Sequence, residues 1–395
     1  MATAAQAPIQ TWKLGLALGL LSALGPVAID LYLPAFPTIA RALDATPGEV
    51  QRTLSVFLLA LAVAQIPIGS FGDRFGRRLP MFLGLSFFAI ASLACTLATR
   101  VEPLIALRFV QGFAVCAGTA CSRAMIRDLK TGHEAARLMA LSFLIIGISP
   151  ILAPLFGSAL LKAMPWQGLF VVLAGMGLVG LGVALLLPES LPVEKRVPRG
   201  TPILPAYVAL LGNARFLAGA VVAGLATTIP YAYVTAAPFV YSGLFGLKGG
   251  EYSLLLALNA GCSIATTQLS PNLMKRWGPR DVLIRISAAG LVLTAAFGAT
   301  IVSGQVNLII FQVFSMAIFA LAGLLLTPAA ISALDAGTGG AGAAAGLLGA
   351  LQLAVTALAS AVVTLFPAFS LAPLVAVLGG ALALALALSL ARKTT

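Results

Sequence analysis

Twelve apolar runs divide this chain, and they constrain its fold more than any single residue does. They fall near 13–37, 50–70, 79–99, 103–126, 136–161, 167–187, 214–242, 252–273, 281–302, 307–330, 341–364 and 371–391. A helix rises 1.5 Å per residue, so about 20 such residues cross the roughly 30 Å of hydrocarbon in a bilayer. In hydrocarbon every backbone N–H and C=O must be bonded internally, which restricts spanning segments to helices and closed barrels. Strict apolar/polar alternation is absent, which argues against a barrel. Each run is therefore expected to be a membrane helix.

Composition agrees with lipid as the solvent. Of 395 residues, 60% are hydrophobic and 9% charged, and the mean hydropathy is +1.04. Soluble domains carry about 25% charged residues over a largely wet exterior, so a soluble enzyme and a disordered chain are both excluded. The formal net charge of +12 does not imply a nucleic-acid partner. Its members are scattered between apolar runs and build no phosphate-tracking face. Cys95, Cys116, Cys121 and Cys262 all lie within runs without a C-x-x-C pair, and His133 is the only histidine, so no metal site is expected.

The basic residues instead report topology, because inner loops of membrane proteins are enriched in Lys and Arg. With the N-terminus placed inside, 18 of the 24 basic residues fall in inner loops and ends, and 5 in outer loops. Both termini are expected in the cytoplasm. The first run has no clean cleavage site and reads as a span rather than a removable signal.

The longest polar stretch, about 188–205, contains Glu189, Glu194, Lys195, Arg196 and several prolines, and separates six runs from six. The expected organisation is an N-terminal bundle 1–187, a cytoplasmic linker 188–212 and a C-terminal bundle 213–395. An internal echo supports it. At an offset of 202, Arg74, Phe75, Gly76 and Arg78 meet Arg276, Trp277, Gly278 and Arg280. The expected fold class is thus all-α, with twelve transmembrane helices in two pseudo-symmetric six-helix bundles. Repeated halves characterise many secondary transporters, which bind substrate between them near mid-membrane.

Four segments carry the chemistry. The loop after span two runs from Gly69 through Asp73, Arg74, Gly76 and Arg77 to Arg78. Its glycines permit a tight turn, and its charges could latch one half to the other at a helix end. The arginines alone would also serve as topology anchors. Span four begins Leu107-Arg108-Phe-Val-Gln111-Gly112, with an arginine about two turns into the bilayer. Such a residue either faces water or a carboxylate, or snorkels to the interface. Asp30 is the one acidic residue clearly inside a span, just before Tyr32, Pro34 and Pro37. A rise of 1.5 Å per residue puts Asp30 about 25 Å above Lys13 and Arg108 about 9 Å below Glu102, at similar depth. Pairing is one reading; a cap at the Pro34 break is the other. Span five carries Ser149, Pro150, Ala153, Pro154, Gly157 and Ser158, small residues with two kink points.

These segments resemble the major facilitator superfamily. The 69–78 loop matches its signature G-x-x-x-D-R-x-G-R-R at every fixed position, and Arg108-Phe-Val-Gln111-Gly112 matches its R-F-x-Q-G motif. Span five is similar to the antiporter motif G-x-x-x-G-P-x-x-G-G, with Ser149, Ala153 and Ser158 replacing three glycines. The Asp30-x-Tyr32-Leu-Pro34 start, the Arg123–Asp128 run and Gly346–Gln352 narrow the resemblance to the Bcr/CflA family of bacterial inner-membrane drug:proton antiporters. That resemblance implies export of amphiphiles such as bicyclomycin, chloramphenicol or florfenicol, with protons as coupling ion and no other cofactor. Asp30 and Arg108 are then the coupling residues, and Gly69, Asp73, Arg74, Gly76, Arg77, Arg78 and Asp128 the cytoplasmic gate. Pro150, Pro154 and Gly157 belong to the antiporter helix.

The span interiors offer Tyr32, Gln111, Tyr231, Tyr233, Asn259 and Gln352 as substrate contacts, although interhelical hydrogen bonding fits each equally well. The expected partners are the bilayer and a small amphiphilic drug, with the chain acting as a monomer. A proton-coupled symporter or facilitator for a nutrient shares the topology and remains the alternative. An intramembrane enzyme has little to build on, since the spans hold one Asp and no His.

Overall fold

The structure is a computed structural model and describes residues 11–391 apart from 131, 199–201, 203, 338–340 and 366–369. Arg199, Arg392 and Lys393, counted above among the inner charges, lie outside the described residues, as do the side chains of His133 and Arg137. The elements are α1 (Thr11–Asp30), α2 (Phe36–Ala42), α3 (Pro47–Phe75), α4 (Arg78–Cys95), α5 (Val101–Leu129), α6 (Gly132–Leu160), α7 (Gln167–Leu186), α8 (Leu204–Leu211), α9 (Ala214–Gly243), α10 (Gly249–Thr267), α11 (Ser270–Trp277), α12 (Pro279–Val302), α13 (Leu308–Leu334), α14 (Ala341–Val363) and α15 (Ala372–Ala391).

Ten stretches among the described residues are long and apolar enough to cross a membrane, the first running through α1 and α2 as Trp12–Ala42. In α6 the apolar part is Leu144–Leu160, and α10, at the place of the eighth run, is not among the ten. Large apolar side chains such as Val302, Leu186 and Leu97 stand 80–91% exposed. That surface is stable against lipid and not against water. Spans one and eight depart from single rods. Pro34 and Pro37 break span one into α1, a 3-10 turn at Leu33–Ala35, and α2. Span eight, expected at 252–273, ends at Thr267 and restarts as α11. Pro150 and Pro154 sit inside α6, which stays helical through both.

Side-chain caps fix several helix starts. Thr46 and Glu49 form a reciprocal capping box at α3, and Asn213 and Asn307 accept backbone N–H groups at α9 and α13. Each satisfies donors that the first helical turn leaves orphaned.

Within 11–186, α3 packs on α5, α5 on α4, α4 on α7 and α1 on α6; within 214–391, α9 packs on α13 and α14, α10 on α13 and α12 on α15. Across the two sets, α3 packs on α14 and α6 on α10. The 188–212 segment is not a plain tether. Its last part is α8, lying against α9 and α14, and its first part is bonded to the 69–78 loop.

Candidate functional site

The break in span one organises the centre of the first bundle. A helix leaves its last four carbonyls without intrahelical partners. At the end of α1, Leu31 N–H takes the Val27 carbonyl, and Arg108 Nη2 donates to the Ala28 carbonyl at 3.2 Å. A cation at a helix C-terminus also complements the helix dipole. Arg108 is fully buried and lies over the rings of Phe57 (4.3 Å), Tyr32 (4.8 Å) and Phe170 (6.0 Å). Its Nη1 donates to Gln111 Oε1, Gln111 Nε2 donates to Ser92 Oγ at 2.7 Å, and Ser92 donates to the Phe88 carbonyl. The snorkelling reading of Arg108 is thereby overturned. The polar chain and aromatic faces replace the hydration its charge gave up.

Asp30 does not pair with Arg108. No ion pair joins them among the described residues, and the guanidinium is spent on Ala28, Gln111 and the rings. The reason is azimuth. At 3.6 residues per turn, Asp30 is rotated about 200° from Ala28, so it leaves α1 on the opposite side. Depth was shared, but direction was not. Asp30 is buried to 8% exposure and lies within electrostatic range of Tyr231 in α9 of the other bundle. Asp30-Leu-Tyr32 and Tyr231-Ala-Tyr233 correspond at an offset of 201, so the pair brings together equivalent positions of the two halves.

The second bundle has a neutral counterpart of the arginine cluster. Asn259 Nδ2 donates to Tyr233 Oη at 3.1 Å, and Gln312 Nε2 donates to Asn259 Oδ1 at 2.9 Å. Tyr241 Oη donates to Gln312 Oε1. A phenol has one proton, so the 2.6 Å contact between the two hydroxyls is Tyr233 donating to Tyr241. The four side chains close a ring. Gln312 stands 204 positions after Arg108, and Asn259 stands 202 after Phe57. Tyr233 and Asn259 are fully buried in this ring, so a ligand reaching them would have to break it. Tyr241 is buried there as well.

Gln352 donates to Thr227 Oγ1 at 2.6 Å, and it and Tyr231 remain partly exposed. Tyr32 donates or accepts at Thr53 Oγ1 (3.1 Å), and both Tyr32 and Gln111 are buried within the first bundle. Gly157 of α6 touches the backbone of Leu31, where any Cβ would overlap the carbonyl. The small residue lets α6 abut the break. A groove of about 460 Å³ lined by Phe71, Phe87, Phe109 and Phe113 faces outward from α3, α4 and α5 and holds none of these residues.

The 69–78 loop forms a compact charge cluster. Arg77 Nη1 donates to Asp73 Oδ1 (2.6 Å) and its Nε to Asp128 Oδ2 (2.8 Å). Burial alone would lower the Arg77 pKa, but the bonds and charges of Asp128 and Asp73 outweigh it and hold it above the usual arginine value. Gly76 adopts φ +93°, a region that disfavours side chains, and a Cβ there would overlap Glu189. Glu189 was read only as part of the linker, yet it accepts the backbone N–H of Arg77 (2.8 Å) and Arg78 (3.2 Å) at the start of α4. Ser190 donates to Asp128, and Val197 N–H to the Asp73 carbonyl. The bonds described here for Asp73, Arg77, Arg78 and Asp128 reach the first bundle and the linker that follows it. The second copy keeps the geometry: Gly278 adopts φ +78°, and Arg280 bonds the Ser389 and Leu390 carbonyls as Arg78 bonds that of Leu185. Gly69 lies within α3, where a Cβ would meet no neighbour, so close packing does not explain it.

The family model described as Major Facilitator Superfamily matches residues 18–364. The MFS-type transporter YdgK of Bacillus subtilis (strain 168) is 34% identical over 356 residues, covering 88% of this chain and 87% of that protein. A bicyclomycin resistance protein homolog of Haemophilus influenzae is 32% identical, covering 69% of each chain. Multidrug resistance protein MdtL of Salmonella heidelberg is 30% identical, covering 68% of each. Among solved structures, a D-xylose–proton symporter superposes with a TM-score of 0.74 at 13% identity, covering 95% of each chain. A bacterial homolog of the human lysosomal transporter Spinster gives 0.70 at 16%, covering 97% of this chain and 95% of that one. At those identities the likeness concerns the fold.

Proposed function

The chain belongs to the major facilitator superfamily and is a multi-pass membrane transporter, not an enzyme; from that premise we propose that it exports small amphiphilic drugs from the bacterial cytoplasm in exchange for protons. The drug assignment is supported by two relatives, named for bicyclomycin and multidrug resistance. Proton coupling is supported by one observation: Asp30 is the only acidic side chain buried among the described residues, and it lies where the halves meet.

In this reading Asp30 alternates between a proton and an ionised state that favours drug binding, while Arg108 stays fixed as the clamp of the α1 end. Proton and drug then occupy the interface in turn as the halves rock. On this reading the charge bias puts both termini and the 69–78 loop in the cytoplasm. The apolar walls and the neutral second bundle suit neutral or zwitterionic amphiphiles.

The test is Asp30→Asn in reconstituted vesicles carrying an imposed pH gradient, with chloramphenicol, florfenicol and bicyclomycin as the panel. The expected result is a folded protein that no longer moves drug in response to the gradient. Normal gradient-driven efflux by a folded Asp30→Asn variant would remove Asp30 from the mechanism.

A further inference from the structure

Three hydrogen bonds between helices of the two bundles lie at the end opposite the 69–78 loop, and each uses a neutral hydroxyl. Tyr252 of α10 donates to the Pro34 carbonyl at 2.8 Å, in the break of span one. Ser158 of α6 meets Ser253 of α10. Ser55 of α3 meets Ser360 of α14 at 3.0 Å, and Ser360 meets Thr235 of α9 at 2.9 Å. Ser158, Ser253, Ser55, Ser360 and Thr235 are all buried. Proton direction can be assigned along the last chain. Thr235 Oγ1 donates to the Tyr231 carbonyl at 2.7 Å, so it must accept from Ser360, which must accept from Ser55. The chain therefore runs Ser55, Ser360, Thr235, Tyr231 and ends on the residue within electrostatic range of Asp30. The ion pair at this end among the described residues, Arg100–Glu102, joins neighbours of one helix and does not cross between bundles.

We propose that these three hydroxyl clasps, Tyr252–Pro34, Ser158–Ser253 and Ser55–Ser360–Thr235, are the lock of the outer mouth, and that their release is the step that opens the interface on that side. The lock rests on the alternating-access reading above, but its test needs no knowledge of the drug. Because each clasp is a neutral hydrogen bond, none is strong alone. Removing one shifts the open/closed ratio by about threefold to tenfold, the range expected for a single hydrogen bond between membrane helices. Three together give a closed state that is stable yet reversible.

The experiment pairs cysteines across the clasps in membranes, Ser158→Cys with Ser253→Cys and Ser55→Cys with Ser360→Cys, in a background with the four native cysteines replaced and a protease site in the linker. Serine oxygens in hydrogen-bond contact put the two sulfurs near disulfide reach. Oxidation is expected to hold the cleaved halves together and to stop transport, with reductant restoring both. Failure of both pairs to cross-link, or undiminished transport by a cross-linked protein, overturns the lock. Ser360→Ala supplies an independent readout. Labelling of a Thr227→Cys reporter by an impermeant maleimide added from outside should quicken about threefold to tenfold. Unchanged labelling also overturns the proposal. If the halves cross-link and the labelling shifts while no panel drug moves, the drug assignment fails and the lock stands.

Discussion

Glu189 allows the loop geometry to be converted into a number. Its carboxylate caps the start of α4 by accepting the Arg77 and Arg78 N–H groups, and it also accepts that of Leu191 at 3.1 Å. The side chain is 26% exposed, so water reaches the site and partly replaces a lost partner. Truncation to alanine orphans two helix N–H groups at about 1 kcal/mol each, and removes an anion at a helix N-terminus worth about 0.3–1 kcal/mol. Nothing is added for the 3.9 Å contact with Arg196, which is too long and too wet to count. Glu189→Ala should therefore destabilise by about 2–3 kcal/mol, whereas Glu189→Gln, which keeps one acceptor oxygen but loses the charge, should cost about 1.3–2 kcal/mol. For a cooperative unit of roughly one bundle, each kcal/mol moves Tm by about 2–4 °C. Thermal unfolding of the detergent-purified protein should show the alanine variant about 2–4 °C further below wild type than the glutamine variant. Two variants indistinguishable from wild type would mean that water caps α4 and that Glu189 does not join linker to loop.

Further perturbations test the two buried clusters and the break. Arg108→Lys removes the bonds to Gln111 and Ala28 and the stacking on Phe57, so gradient-driven efflux should be lost while the protein still inserts; full efflux would show that charge alone suffices. Gln312→Leu leaves the Tyr241 hydroxyl proton and Asn259 Oδ1 without partners and should cost about 1–3 kcal/mol in thermal unfolding, with little change if the ring re-forms around water. Gly157→Ala forces α6 away from Leu31 and should destabilise by about 1–3 kcal/mol. Equal stability would show that the break yields freely.

Much of the fold was legible because its signal is local. Twenty apolar residues in a row specify a spanning helix without reference to any other segment. The 69–78 loop was legible for the same reason, since Asp73, Gly76 and Arg77 act within a few residues of one another. What one sequence does not carry is azimuth and partner. Asp30 and Arg108 matched in depth, but which way each leaves its helix depends on packing that spans 80 positions. Glu189 lies 112 positions from the N–H group it caps, in a stretch whose prolines suggested only a tether. Gln312 could have been found: it is an amide in an otherwise apolar run, at the repeat-equivalent position of Arg108.

That substitution of an amide for a cation in the second bundle has an electrical consequence. Deep in the spans the described structure holds one permanent positive group, Arg108, and one switchable negative group, Asp30. With Asp30 ionised the two sum to zero; with Asp30 protonated the interior carries one positive charge. A transmembrane voltage exerts about 2.3 kcal/mol per elementary charge per 100 mV over the full field. In the proposed exchange it therefore acts on the proton-loaded form and not on the emptied one. A second arginine at position 312 would have left both forms charged and put the voltage to work against the return stroke.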